Sequence, residues 1–153
     1  MEYEVGRAGK IVVMRLNDGD PMYASIEAAA AKEGIASAAV WLVGGIKNAG
    51  VVVGPKKEDS FPLEVMEKHF ADGREIAAVG TIFTNAEGKP KLHMHAAIGK
   101  GDEVVAGCPR KGADCWLVDE VIIMEICGLS ARRVAEAKCG LELLSIRAGA
   151  KKS

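Results

Sequence analysis

Polar and apolar residues alternate most clearly along 91–98, where His93 and His95 are interleaved with Leu, Met and Ala. Side chains point to opposite faces along a β-strand, so this pattern predicts a strand with both imidazoles on one face. A glycine-containing turn at 99–102 and the run 103–108 follow. The whole stretch therefore indicates a β-hairpin whose return strand ends at a cysteine.

Other segments complete the expected elements. Asp20 as N-cap, Pro21 at the first helical position and Gly34 after the end predict a helix over about 20–33. Apolar or alternating runs predict further strands over 10–16, 36–43, 49–53, 75–84, 115–127 and 141–146. Residues 62–70 fit a helical turn and an irregular strand equally well, and 130–137 fit a short helix or a loop.

The order of these elements predicts the fold class. One helix between early strands, followed by hairpin-linked strands, is typical of an α+β domain with a mainly antiparallel, mixed sheet. We expect one principal helix, at about 20–33, and a short second helix. The order is not the regular βαβα alternation of a Rossmann fold, which argues against that fold. At 153 residues the chain is expected to form one domain over 1–153, with its core at about 10–146.

Composition and charge narrow the class of protein. The chain is 49% hydrophobic but only 5% aromatic, so Val, Ile, Leu and Ala must form its core. A net charge of −1 gives no basic footprint for nucleic acid, which makes a nucleic-acid partner improbable on charge alone. Without a signal peptide or an apolar run of membrane-spanning length, we expect a cytoplasmic location, no membrane partner and reduced thiols.

The hairpin also predicts a metal site. With the turn centred just after Lys100, His95 faces Ala106 and His93 faces Cys108 across the two strands. Two imidazoles and a thiolate form a donor set that suits zinc. Three protein ligands would leave a position open for water or a small anionic ligand, as in catalytic zinc sites.

Four other residues are candidates for the same site. His69, the remaining histidine, could be a fourth ligand or a proton carrier, and Glu75 is a second candidate proton carrier. Arg74 could bind a carboxylate or phosphate with two hydrogen bonds. Arg110 follows the cysteine closely and could line an anionic ligand.

Two other interpretations of the hairpin stay open. The histidines could be ordinary residues of a polar face, with Cys108 a small buried hydrophobic residue. Alternatively, Cys108 could be the nucleophile of a thiol enzyme, with His93 as its base.

Several stretches carry a family resemblance. They are 15–20, 39–45, 73–76, 80–83, 91–99 and 118–126. Together they resemble the plant-and-prokaryote-conserved domain family (PPC, also written PCC), in its free-standing prokaryotic or archaeal type. The resemblance implies an α+β fold, assembly as a homotrimer and a site near the subunit boundaries.

The resemblance also bears on cofactor and partner. It implies zinc held by a His-x-His pair and a third histidine on the return strand; His93 and His95 match the pair, and Cys108 stands at the third position. Plant relatives join this domain to AT-hook segments in DNA-associated proteins, but the Arg-Gly-Arg-Pro core of an AT-hook is missing here. A DNA-associated or protein-binding regulatory module without catalysis is therefore an alternative by family analogy.

Overall fold

A computed structural model describes residues 1–110 and 112–146. Within this range it contains one helix, α1 (Met22–Glu33), and ten strands. The strands are β1 (Arg7–Asn17), β2 (Ser37–Lys47), β3 (Ala49–Pro55), β4 (Val65–Phe70), β5 (Arg74–Thr84), β6 (Pro90–Lys100), β7 (Glu103–Pro109), β8 (Asp114–Cys127), β9 (Arg132–Glu136) and β10 (Leu141–Ser145).

Eight strands form one sheet, and the last two form a separate hairpin. The order in the sheet is β1-β8-β2-β5-β6-β7-β3-β4, while β9 pairs only with β10 in the described chain. Every described pair of strands is antiparallel. The predicted antiparallel α+β architecture is confirmed.

The single helix covers one face of the sheet. Its buried side chains Met22, Ile26 and Ala30 belong to the same core as the inward-facing residues of the central strands. The helix ends at Gly34, as predicted. Its start differs from the prediction. Pro21, expected at the first helical position, is the N-cap residue and precedes α1, and the Asp20 carboxylate accepts the Asn17 backbone N–H at 2.8 Å instead of capping the helix.

The other face of the sheet carries a row of exposed apolar side chains. Successive pairs join Val13 to Ile122, Ile122 to Trp41, and Trp41 to Val79, from β1 across to β5. These four side chains are between 43% and 76% exposed. The next position in the row, on β6, is His95.

Two ambiguous segments are strands. Residues 65–70 form β4, which pairs with β3, rather than a helical turn. The expected short second helix near 130–137 is not formed; residues 132–136 form β9, which pairs with β10. The alanines, arginines and glutamate of this stretch are good helix formers, but a partner strand is available to satisfy their backbone groups and overrides that propensity.

The C-terminal hairpin of β9 and β10 packs over one end of β5. Its Arg133 donates a hydrogen bond from Nη2 to the Thr81 hydroxyl at 3.0 Å, and its guanidinium lies 5.8 Å from the centre of the Phe83 ring. No helix of the described chain has the length and hydrophobicity required to span a membrane.

Candidate metal centre

The hairpin of β6 and β7 has a different register from the predicted one. Ala106 lies opposite Ala97 rather than opposite His95. Gly101 takes the first position of the two-residue turn with a φ of 58°, a conformation that glycine adopts without strain. A shift of two residues keeps every side chain on its own face, so Cys108 still belongs to the histidine side.

Cys108 lies where β7 changes partner. The strand pairs with β6 as far as Gly107 and then with β3, where Cys108 lies opposite Val52. A Cβ at position 107 would collide with the Val52 carbonyl oxygen, so only glycine allows this close approach. The Arg110 backbone N–H donates to the Gly50 carbonyl at 2.7 Å and fixes the segment that follows. These contacts bury Cys108, which is 4% exposed, beside the histidines.

The three predicted donors converge. One donor atom each of His93, His95 and Cys108 lies within 4.8 Å of the other two. The imidazole rings are 5.0 Å apart and nearly perpendicular, at 87°. Tetrahedral zinc with ordinary bond lengths would place such donors about 3.3–3.6 Å apart, which small side-chain rotations can reach. The residues present therefore fit a zinc ion.

The surroundings of His93 favour the neutral form of its imidazole. Burial lowers its pKa, and the positive charge of Arg133, the neighbouring His95 and Arg110 lower it further. A neutral imidazole has the free lone pair that a metal ligand needs. The same cations also favour a negative charge near the cluster.

A cavity of about 520 Å³ opens beside His93. Its wall combines α1, the start of β6, the end of β7 and the C-terminal hairpin. The charged and hydroxyl-bearing residues that line it are Tyr23, Glu27, Lys91, Arg110, Arg133 and Glu142. The volume is in the range of small-molecule sites.

Sequence reasoning missed Arg133 and Tyr23. Arg133 is 7% exposed and lines the cavity, although the sequence alone offers it only as half of a basic pair. Burial raises the pKa of Tyr23, and the neighbouring Cys108 thiol, against which its hydroxyl lies, raises it further. No local pattern marks either residue, because their positions depend on how separate elements pack.

The other predicted candidates are distributed around the molecule. Arg110 lines the cavity, whereas His69 and Glu75 lie outside it and outside the three-donor cluster. His69 extends from β4, and its Nε2 is 3.2 Å from a carboxylate oxygen of Glu67. Glu75 is at the start of β5 and is exposed.

Arg74 also lies outside the cavity, in a corner of its own. Its guanidinium is 3.1 Å from the Asp72 carboxylate, 3.6 Å from that of Glu103 and 4.7 Å from the centre of the Phe70 ring. These partners compensate its charge locally, so its contacts are those of a structural residue.

Comparison with known proteins identifies the family. The sequence profile of the Plants and Prokaryotes Conserved (PCC) domain matches residues 3–127. The chain belongs to this family. The hairpin at 132–145 lies beyond the matched segment, so Arg133 is contributed by a part of the chain outside the PCC profile.

Solved structures share the PCC fold. A metal-containing protein from Archaeoglobus fulgidus is 23% identical, with a TM-score of 0.82 over 95% of this chain and 99% of that one. A PPC protein from Pyrococcus horikoshii is 22% identical, with a TM-score of 0.80 over 95% and 97% of the two chains. A Bacteroides thetaiotaomicron protein, provisionally described as DNA-binding, is 19% identical, with a TM-score of 0.74 over 94% and 99%. No curated protein sequence matches this chain.

Proposed function

We propose that this PCC domain binds zinc through His93, His95 and Cys108. The observation that carries the proposal is the convergence of two imidazoles and one thiol within 4.8 Å at the end of one hairpin. Nitrogen and sulfur donors in this combination favour zinc over magnesium or calcium, which prefer oxygen. The description of the Archaeoglobus fulgidus protein as metal-containing supports the proposal.

Three protein ligands leave one position for water or a small anionic ligand. Zinc bound in this way acts as a Lewis acid and lowers the pKa of a bound water. The contribution of the chain is electrostatic, because Arg110 and Arg133 place positive charge near His93 and favour an anion there. His69, the candidate fourth ligand, and Glu75, the candidate proton carrier, lie outside both the cluster and the cavity.

We further propose that the domain assembles as a homotrimer through its uncovered sheet face. The supporting observation is the row from Val13 through Trp41 to Val79, which exposes large apolar side chains on adjacent strands. Such contiguous patches mark interaction surfaces. Because the row continues into His95, a subunit packed on it would lie next to the metal ligands.

Elemental analysis of the purified protein tests the metal site. We expect about one zinc per chain in the wild type and none in a His93→Ala/His95→Ala double variant that remains folded by circular dichroism. His69→Ala is the matched control, since it removes the third histidine from an exposed position outside the cluster. Absence of zinc in the wild type, together with no uptake on titration, would remove the proposal.

Cobalt substitution tests the cysteine separately. Cobalt(II) bound to a thiolate gives a sulfur-to-metal charge-transfer absorption in the near ultraviolet. We expect this absorption in the wild type and its loss in Cys108→Ser, with bound cobalt still detectable through the two histidines. Cobalt binding without the absorption in the wild type would show that Cys108 is not a ligand.

A DNA-associated role is the weaker proposal. Its support is the provisional description of one structural relative, whereas the net charge of −1 provides no excess of cations to contact phosphates. A mobility shift with duplex DNA at low salt, lost at higher salt, would favour this role. No shift at low salt would exclude it.

A further inference from the structure

Arg133 is a buried cation that forms no ion pair among the described residues, although the charge of Glu142 acts on it from a longer distance. It is 7% exposed, and no carboxylate lies within 4.0 Å of it in the described residues 1–110 and 112–146. Transfer of an uncompensated charge out of water is costly, and proteins usually pair such a group. The position of Arg133 is therefore better explained if a negatively charged group binds there.

The guanidinium has hydrogen-bonding capacity to spare. Among the described residues its one side-chain hydrogen bond goes from Nη2 to the Thr81 hydroxyl, and its Nε–H, which is buried, has no partner. A guanidinium carries five N–H donors in a planar fork that matches a carboxylate or a phosphate. Thr81 and the Phe83 ring hold this fork in place at the wall of the cavity.

Other groups at the cavity reinforce the preference for an anion. Arg110 is a second cation on the wall, and the buried Tyr23 hydroxyl, which lies against the Cys108 thiol, can donate a hydrogen bond. Glu27 is already engaged, since it accepts the Leu92 N–H at 3.0 Å and lies 3.7 Å from the Lys91 ammonium. Glu142 is a second acidic group on the wall, and its charge acts on Arg133 without forming an ion pair. The described wall thus has two cations without ion pairs, Arg110 and Arg133, one acid compensated by Lys91, and one acid that is not paired.

We propose that this cavity binds the oxyanion group of a small molecule, a carboxylate or a phosphate, with Arg133 as its principal partner. The C-terminal hairpin creates this site, because β9 carries Arg133 and residues 140–143 form part of the wall. The inference goes beyond the proposed metal site. Arg133 and its neighbours would bind an oxyanion in metal-free protein as well. The site also depends on the C-terminal hairpin, which lies outside the PCC profile.

Nuclear magnetic resonance of metal-free protein in Tris chloride tests the site directly. Acetate and inorganic phosphate are titrated in separate experiments, and the Nε–H resonance of Arg133 is followed. We expect a saturable shift of this resonance with at least one of the two anions. Stronger binding of acetate indicates a carboxylate ligand, and stronger binding of phosphate indicates a phosphorylated one. No saturable shift with either anion overturns the inference.

Two variants that lose the same charge make the test specific. Arg133→Gln should weaken anion binding at least about tenfold, because charge-assisted hydrogen bonds are lost. Arg132→Gln, one residue earlier on the same strand and on its opposite face, should leave the affinity within about twofold. Equal weakening in both variants would indicate general attraction to positive charge and overturn the assignment. The titration of the wild type remains decisive if Arg133→Gln does not fold.

The same titrations with zinc present separate this inference from the proposed metal site. Zinc uptake without anion binding would leave the metal site standing and remove the anion site. Anion binding at Arg133 without zinc uptake would leave the anion site standing and remove the metal site. Binding of both, with tighter anion binding in the zinc-loaded protein, would support both proposals and place them in one continuous site.

Discussion

Cys108 and Cys115 are both buried, at 4% and 0% exposure, but their surroundings differ in charge. Cys115 lies on β8 against the carboxyl of Asp119, and burial together with this acidic neighbour raises its pKa to about 12. Cys108 lies against two imidazoles, and Arg133 is close enough for the two groups to influence each other electrostatically.

The difference lies in the side chains that surround each buried thiol. A thiol beside a carboxylate is held in its protonated form and packs as a small apolar group. A thiol beside two imidazoles instead belongs to a set of nitrogen and sulfur donors that can hold a metal. Charge in the neighbourhood, rather than burial alone, therefore distinguishes the candidate ligand Cys108 from the structural Cys115.

The largest expected difference between Cys108 and Cys115 is in their rates of alkylation. At pH 7.5 we expect Cys115 to react with iodoacetamide more than about a hundredfold more slowly than a free thiol, because its pKa of about 12 leaves almost no thiolate. Cys108 should react at least about tenfold faster than Cys115, and zinc should protect it. Peptide mapping by mass spectrometry measures both sites. Equal rates in the folded protein would contradict the comparison, whereas equal rates in urea are expected.

The Asp119 carboxyl beside Cys115 should make the free energy of unfolding depend on pH. Burial raises the pKa of Asp119 to about 6 against the opposing effects of the Cys115 thiol and the Gly45 backbone N–H. The folded state therefore holds a proton that the unfolded state releases near pH 4, so stability falls as pH rises from about 4 to about 6. Asp119→Asn removes this component.

Urea unfolding at pH 4 and pH 7 measures the effect. Relative to Asp119→Asn, the wild type should lose roughly 2–3 kcal/mol of unfolding free energy between these two pH values. Glu120→Gln, at the next and exposed position, is the control and should show little pH-dependent difference from the wild type. A difference between wild type and Asp119→Asn that is the same at both pH values would show that Asp119 does not titrate in this range.

The smallest expected effect concerns the cations near Cys108. Arg133→Met should raise the pKa of His93 in metal-free protein, because it removes one of the positive charges that lower it. Its unfolding free energy in Tris chloride should change by less than about 1 kcal/mol, or increase, since the charge that is removed is buried without an ion pair. Titration of the imidazole resonances follows the first effect, with Arg132→Met as control. An unchanged or lower pKa of His93 would show that the charge of Arg133 does not affect this imidazole.

The sequence predicted most of the fold because most of its signals are local. Gly34 ended the helix where expected, and alternation along 91–98 identified the strand and its histidine face. The prediction of a second helix was wrong because the pairing of β9 with β10 involves residues up to 13 positions apart, from Arg132 to Ser145. Propensity within 130–137 contains no information about that partner.

Only the residues of the candidate site that lie on the β6–β7 hairpin could be predicted from the sequence. The His-Cys convergence survived an error of two residues in register, since such an error preserves the face of each strand. Arg133 could not be found in this way, because its approach to Thr81 joins positions 52 residues apart. The sequence does not distinguish Arg74 from Arg133. In the structure, Arg74 forms ion pairs with two carboxylates, whereas Arg133 forms none among the described residues.

The apolar row that ends at His95 would couple the proposed metal binding to the proposed self-association. If a second copy covers Trp41 and Val79, the group beside them in the row is the proposed metal ligand His95. Any metal-dependent shift of this side chain would then alter the surface available for association. Thermodynamic reciprocity then requires that association alter metal affinity by the same factor. The protein would hold its metal more or less tightly according to its own concentration, and dilution alone would change its metal content.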